Sequence, residues 1–365
     1  GGPGAWQLAN QPDEAAKLGV DVVVSGYAET SVGGIFRRII AGEPTERVYD
    51  CSSAPVNDPP AVRGATSMGV VEISRGCGLG CAFCSLRSIP MRHLPVDLVI
   101  RDIETNQSAG VKNISLISED FFRYGASGPL GNVSPDAIKD LLRAVRKLPD
   151  VSLIQTDHAN IASIAALSDA DLIEIHDLLA GGSGKGALWI NVGVETPCET
   201  LLEQNGGKPK MRPFNQGDWA NECRTQIIRL ARAGFLPMAS LIVGLPGETD
   251  DHIRQSIDWV KSLRGERVTV FPVLYAPLNR QTQNDSTAPL TPLQWELFRV
   301  SYEFNFEWIP RLFWRNQAIS GASLAMRCLT RVLGRSQAIL LGMKLRHKAK
   351  RSEERRVGKE CRSRW

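Results

Sequence analysis

From Met68 onward the chain alternates short apolar runs with longer amphipathic ones. Met68–Ile73, Lys112–Ile117, Val151–Gln155, Ala187–Val192, Leu236–Val243 and Arg267–Tyr275 have the length and β-branched content of buried strands. Between them the spacing predicts helices over Pro95–Ala109, Ser134–Leu148, Ser168–Ala180, Asp218–Ala233 and Asp250–Leu263. The second of these carries Ile138, Leu141, Leu142, Val145 and Leu148 on one stripe. Ser134 and Ser168 stand where N-caps belong, Pro135 at a first helical position, and Gly110 and Gly234 at stops. Six such repeats predict an α/β fold with a parallel sheet and helices outside.

The flanks read differently. Asp13–Leu18 predicts a short helix, Val20–Ser25 a buried strand, and Ser31–Ala41 a helix closed by Gly42. Residues 43–66 are rich in Pro and polar side chains and predict a linker, with Cys51 inert within it. Beyond residue 285, Thr291-Pro292 opens a helix bearing Trp295, Phe298, Tyr302, Phe306 and Trp308, followed by a basic amphipathic segment from Ser323 to Lys350. A helical cap over the open mouth of the sheet is one expectation for this region, since it would exclude water. Ordinary core packing is the other, and the last helix also suits a membrane surface.

The chemistry concentrates after the first strand, in Ser74-Arg-Gly-Cys-Gly-Leu-Gly-Cys-Ala-Phe-Cys-Ser85. Cys77, Cys81 and Cys84 fall in a C-x3-C-x2-C spacing, with Gly76, Gly78 and Gly80 among them. Glycines let the backbone curl and turn three sulfurs inward. Thiolates suit soft metals and iron–sulfur clusters. A closed zinc site asks for four ligands, and this loop supplies three.

With Phe83 just before the third cysteine, the motif resembles the signature of the radical S-adenosylmethionine (SAM) superfamily. The resemblance implies a partial (β/α)6 TIM-type barrel over 67–285 with function at the C-terminal strand ends. It also implies a 4Fe–4S cluster held by the three cysteines, with one iron left to chelate SAM. One electron then splits SAM into methionine and a 5′-deoxyadenosyl radical. Further residues match by place. Glu119 and Asp120 end the second strand, where the family contacts the SAM ammonium. Asn191 and Glu195, in Asn191-Val-Gly-Val-Glu195, match the strand that faces the ribose and carboxylate. Ser240-Leu-Ile-Val-Gly-Leu-Pro-Gly-Glu-Thr249 matches a segment whose Ile242 and backbone near Gly244 pack on adenine, and Tyr275 ends the sixth strand at another adenine contact. Glu248 is expected to begin the following helix.

Residues 1–42 resemble the last strand–helix units of a Rossmann-like cobalamin-binding domain, which implies cobalamin as a further cofactor. A structural Rossmann-like remnant is the alternative. The implied reaction is methylation or rearrangement at an unactivated carbon of a small-molecule or unknown substrate, with a flavodoxin or ferredoxin as reductant. A tRNA methylthiotransferase-like enzyme is a second reading, and a non-catalytic Fe–S or Zn module a third.

Other features change the picture less. His158, after the third strand, is a candidate for proton handling or metal ligation, against a structural histidine. Cys198, after the fourth strand, is a candidate thiol donor or methyl carrier. Gly181-Gly-Ser-Gly-Lys-Gly186 lacks the Ser/Thr of a phosphate loop and reads as a connection. The chain begins without Met, and residues 351–365 resemble translated sequencing adapter. That tail holds six Lys/Arg and three Glu, so the net charge of +4 becomes 4 − 3 = +1 without it, and no nucleic-acid partner is expected from charge. The scattered remaining cysteines form no disulfide framework, which fits a reducing cytoplasm. No apolar run reaches the roughly 18 residues of a membrane span.

Overall fold

The computed structural model describes residues 4–51, 59–87, 89–128, 132–181, 187–277 and 290–362, the last twelve as backbone only. The chain divides into two compact units at Arg63/Gly64.

In the first unit, α1 (Ala5–Ala9) and α2 (Pro12–Lys17) precede β1 (Val23–Gly26), α3 (Val32–Ile40) and β2 (Val48–Cys51). β1 and β2 pair in parallel, Val23 opposite Val48 and Gly26 opposite Cys51. A parallel pair needs a crossover, which α3 supplies. Ala5, Ala15 and Val23 are buried, with Val48 packed on them. Residues 43–66, expected as a linker, therefore contain a strand, and Cys51 is buried at its end. Val48-Tyr-Asp-Cys51 is too short and too polar to announce itself; pairing with β1 makes it a strand.

The second unit opens with a 3-10 turn at Ser67–Gly69, β3 (Val70–Glu72) and the antiparallel pair β4 (Ser74–Arg75) and β5 (Arg92–His93). Then come α4 (Val96–Ser108), β6 (Asn113–Ile117), α5 (Pro135–Arg146), β7 (Leu153–Thr156), β8 (His158–Ala159), α6 (Ile161–Ala166) and α7 (Asp169–Ala180). The unit continues with β9 (Trp189–Glu195), α8 (Glu199–Gln204), α9 (Trp219–Arg232), β10 (Leu236–Val243), α10 (Asp250–Ser262), β11 (Thr269–Leu274), α11 (Pro292–Ile319) and α12 (Leu324–Arg362).

Six strand positions run in parallel and in chain order. One sheet is β3-β6-β7 and the other β8-β9-β10-β11. The expected third strand is split: β7 pairs with β6 and β8 with β9, so one segment joins both sheets. The Gln155 amide spans the change by donating to Trp189 O. Alternation is clean along β9 and β10. Ile190, Val192 and Val194 are buried against the outer helices, while Asn191, Gly193 and Glu195 are half-buried on the other face. Local signals place the helices where the sequence predicts them. Ser168 and Asp171 form a capping box at α7, which ends at Gly181 with φ +73°. Among the described residues no helix is long and apolar enough to cross a membrane.

Among the described residues, none of the C-terminal helices lines the cysteine cavity, where one expectation above put a cap. At the start of α11, Gln294 donates to Glu248 beyond the C-terminal end of β10. Midway, the Asn305 amide accepts from Val270 N at 2.9 Å and donates to Val270 O at 2.8 Å. Near its end, Asn316 bonds Ala187 N and O ahead of β9, and Asn113 at the start of β6 donates to Ser320. α11 thus runs down the outer edge of β11 to the N-terminal end of the sheet. Its Tyr302 packs edge-on against Phe271. Of the aromatic run, Tyr302 packs on the edge strand, while Trp295 and Phe306 face α12.

Candidate functional site

The cysteine loop leaves β4 and returns through β5, and this short ladder ties its two ends together. Gly76, Gly78 and Gly80 have φ of +70°, +72° and +78°. A Cβ on Gly76 would meet Pro90 O at 2.5 Å, so glycine is required there both for conformation and for space. Ile89 O accepts from Cys77 N and Gly78 N, and Cys77 O accepts from buried Arg123 at 2.9 Å. These bonds point the three thiols into one cavity of about 210 Å³ at the C-terminal strand ends.

Phe83, Glu119, His158, Glu195 and Lys210 line the same cavity. Lys210 was not among the residues the sequence singled out. Its Nζ lies 2.9 Å from Glu195 Oε1 and donates to Asn160 Oδ1 at 3.1 Å, in a nearly buried pair. Burial works against its charge, but Glu195 and the neighbouring cysteines outweigh that and raise its pKa. Gly206 and Gly207 bring the lysine in: the turn after α8 docks on the cysteine loop, with Ala82 N donating to Gly206 O. A Cβ on Gly206 would meet Ala82 Cβ at 2.5 Å. Nothing in Gly206-Gly-Lys-Pro-Lys210 marks such a contact in sequence.

Burial pushes the Cys77 thiol up to about 11 and raises Cys81 and Cys84, while the Lys210 charge pulls all three down. Free thiolates are disfavoured here, yet a cation waits beside them. Those are suitable terms for thiolates deprotonated by a metal cluster. A single zinc ion would draw thiolate sulfurs to about 3.8 Å apart, from 2.3 Å bonds at the tetrahedral angle. Among the described residues no three His, Cys, Asp or Glu groups converge on one ion in that way. Three cysteines lining one cavity are a soft donor set of the kind that iron–sulfur clusters take.

The acidic pair at the end of β6 separates. Glu119 faces the cavity, where burial raises its pKa and His158 opposes the shift. Asp120 does not face it. Fully buried, Asp120 accepts from Asn160 N, Asn160 Nδ2 and Ser163 Oγ, and so ties β6 to the start of α6. Both acids lie in the bend just beyond β6, and the bonds to Asn160 and Ser163 turn Asp120 away from the cavity. Asn191 and Glu195 do share a face, because β9 runs through Glu195. Glu195 adopts φ +64°, a left-handed turn that a strand-end glutamate rarely takes. Asn191 stands lower and donates to Asp157 Oδ1 at 3.3 Å. Asp157 also pairs with His158 Nδ1 at 2.9 Å.

Ile242, Tyr275 and Cys198 meet elsewhere. Ile242 and Tyr275 pack on a buried cluster of Cys198, Leu201 and Leu245, with the Cys198 sulfur 3.3 Å from Thr200 Oγ1. Cys198 is thus buried outside the cysteine cavity, beside Ile242 and Tyr275. Gly244 turns with φ +88°, and its N–H donates to the Glu248 carboxylate at 3.0 Å. Glu248 therefore braces the strand end instead of starting the helix, and Thr249 caps α10.

A profile of the radical SAM superfamily matches residues 71–260, just over half of the chain. Among curated proteins the chain is 26% identical over 242 residues to ribosomal protein uS12 methylthiotransferase RimO of Sorangium cellulosum, covering 66% of this chain and 46% of that protein. It is 26% identical over 226 residues to the RimO of Myxococcus xanthus, covering 61% and 42%. The chain spans about half the length of the curated relatives it matches. Among solved structures, the radical S-adenosylmethionine methyltransferase TsrM from Kitasatospora setae, with cobalamin and a 4Fe-4S cluster bound, aligns with a TM-score of 0.49 at 17% identity, over 75% of this chain and 55% of that one. With its cysteine loop at the first strand end of a six-strand parallel array and the superfamily profile matching residues 71–260, the chain belongs to the radical SAM superfamily.

Proposed function

We propose that the chain is the core of a radical SAM enzyme acting on an unactivated C–H bond. The observation that carries the reading is the convergence of Cys77, Cys81 and Cys84 with Glu119 and the Glu195–Lys210 pair on one cavity at the strand ends. Cys77, Cys81 and Cys84 would hold a 4Fe–4S cluster, which supplies the electron that splits SAM into methionine and a 5′-deoxyadenosyl radical. Glu119 faces the SAM ammonium, as a carboxylate beside a buried cation. Glu195, fixed by Lys210, presents its second oxygen to the ribose. Ile242, Gly244 and Tyr275 offer apolar surface and backbone to adenine, and Phe83 covers the loop. His158, held by Asp157, would take a substrate proton.

Cobalamin is proposed as a further cofactor, leading to methyl transfer. Support comes from the parallel β1–α3–β2 arrangement, a Rossmann-type building block. Methylthio transfer is the second reading, favoured by the relatives matched along two thirds of the chain.

Anaerobic reconstitution with iron and sulfide tests the core of this proposal. About four iron per chain and 5′-deoxyadenosine under dithionite are expected, both lost in Cys81→Ala with its circular dichroism unchanged. Iron-loaded protein that forms no 5′-deoxyadenosine would leave only a structural metal module. Mass spectrometry of the product, with cobalamin supplied, separates an added methyl from an added methylthio group.

A further inference from the structure

Over its described side chains, α12 packs one of its faces. Arg327 stacks on Trp314 at 4.1 Å, Thr330 bonds Gln317, Gly342 lies against Phe306, and Lys348 reaches Trp295. These contacts run the helix antiparallel to α11 over its described side chains. At 100° per residue, Leu329, Val332, Leu333, Leu340 and Met343 share the opposite face, and each is between 47% and 63% exposed. Five large apolar side chains in one exposed stripe exceed the scattered apolar residues of an ordinary surface.

Charge selects what covers this stripe. From Ser323 to Lys350 the chain has seven Lys/Arg and no Asp or Glu. On the helix wheel Arg335 and Arg346 flank the stripe on one side and Lys344 on the other. A second copy of α12 would bring the same positive charge against it. An anionic lipid surface accepts both parts, acyl chains taking the stripe while the long basic side chains reach the headgroups. No described helix can span a bilayer, so the arrangement is one of lying on the surface. We infer that α12 docks the protein on an anionic membrane surface through the Leu329–Met343 stripe. The inference is independent of the chemistry proposed above.

Flotation of the full chain with vesicles tests it. Vesicles of equal parts phosphatidylcholine and phosphatidylglycerol are expected to carry the protein, increasingly less as salt rises, and phosphatidylcholine vesicles to carry little. Leu329→Glu/Leu340→Glu, at two exposed positions, should weaken partitioning at least about tenfold, with circular dichroism unchanged. No partitioning of the original chain, or equal partitioning of the variant, overturns the inference. So does light scattering that shows a dimer which the same variant dissociates, because that assigns the stripe to a second copy.

Discussion

Lys210 Nζ sits 2.9 Å from Glu195 Oε1, with both side chains almost wholly removed from solvent. Such a pair loses hydration on folding, and mutual attraction offsets that cost only while both partners are present. Lys210→Met is expected to cost about 3–5 kcal/mol by stranding the glutamate charge. Adding Glu195→Gln should restore more than half of the loss. Urea unfolding of the two single variants and the double variant checks this; additive losses would mean that the two residues are not coupled.

Gly193 makes room for that pair. A Cβ there would meet Glu195 Oε1 and lie 2.7 Å from Lys210 Nζ. Gly193→Ala should therefore displace one partner, with a loss of about 1–3 kcal/mol and a weakened SAM site. Calorimetric SAM binding to the reconstituted variant measures the second effect, and unchanged affinity would show that the pair does not shape that site.

His158 should titrate above its ordinary 6.5. Burial opposes its charge, but the hydrogen bond and charge of Asp157, with Glu119 beyond, raise the pKa overall. A pKa raised in the folded state means that the stabilising contribution is fully present below 6.5 and is lost as pH rises through the folded value. The imidazole is half-exposed, so this contribution is small. Proton NMR should show the His158 pKa falling in Asp157→Asn, and no change would remove Asp157 as the cause.

Asn305 satisfies both backbone groups of Val270 on the outer edge of β11, as a neighbouring strand would. Asn305→Leu leaves a buried N–H and C=O without those partners, at about 2–4 kcal/mol. Thermal unfolding should reveal the loss. Hydrogen exchange at Val270 should rise with it, and continued protection there would show that another group has taken over.

The sixfold alternation of strands and helices was legible from residue order, because apolar periodicity and caps act within a few positions. Ser168, Pro135, Thr291 and the α5 stripe all lie where local chemistry puts them. Less local features were not legible. β2 depends on a partner strand 25 residues away. The split between β7 and β8 depends on which neighbour each finds.

The site divides along the same line. Cys77, Cys81 and Cys84 can be read by themselves, since the ligand spacing and the glycines are contiguous. The sequence alone therefore determined the alternation of strands and helices along the chain and the cysteine loop on which the family resemblance rests. Only the tertiary structure decided that Glu119 faces the cavity while Asp120 turns away, that Cys198 is buried outside it, and that Lys210 closes on Glu195. Those outcomes depend on burial and on contacts between segments far apart in the chain, and such contacts leave no local pattern.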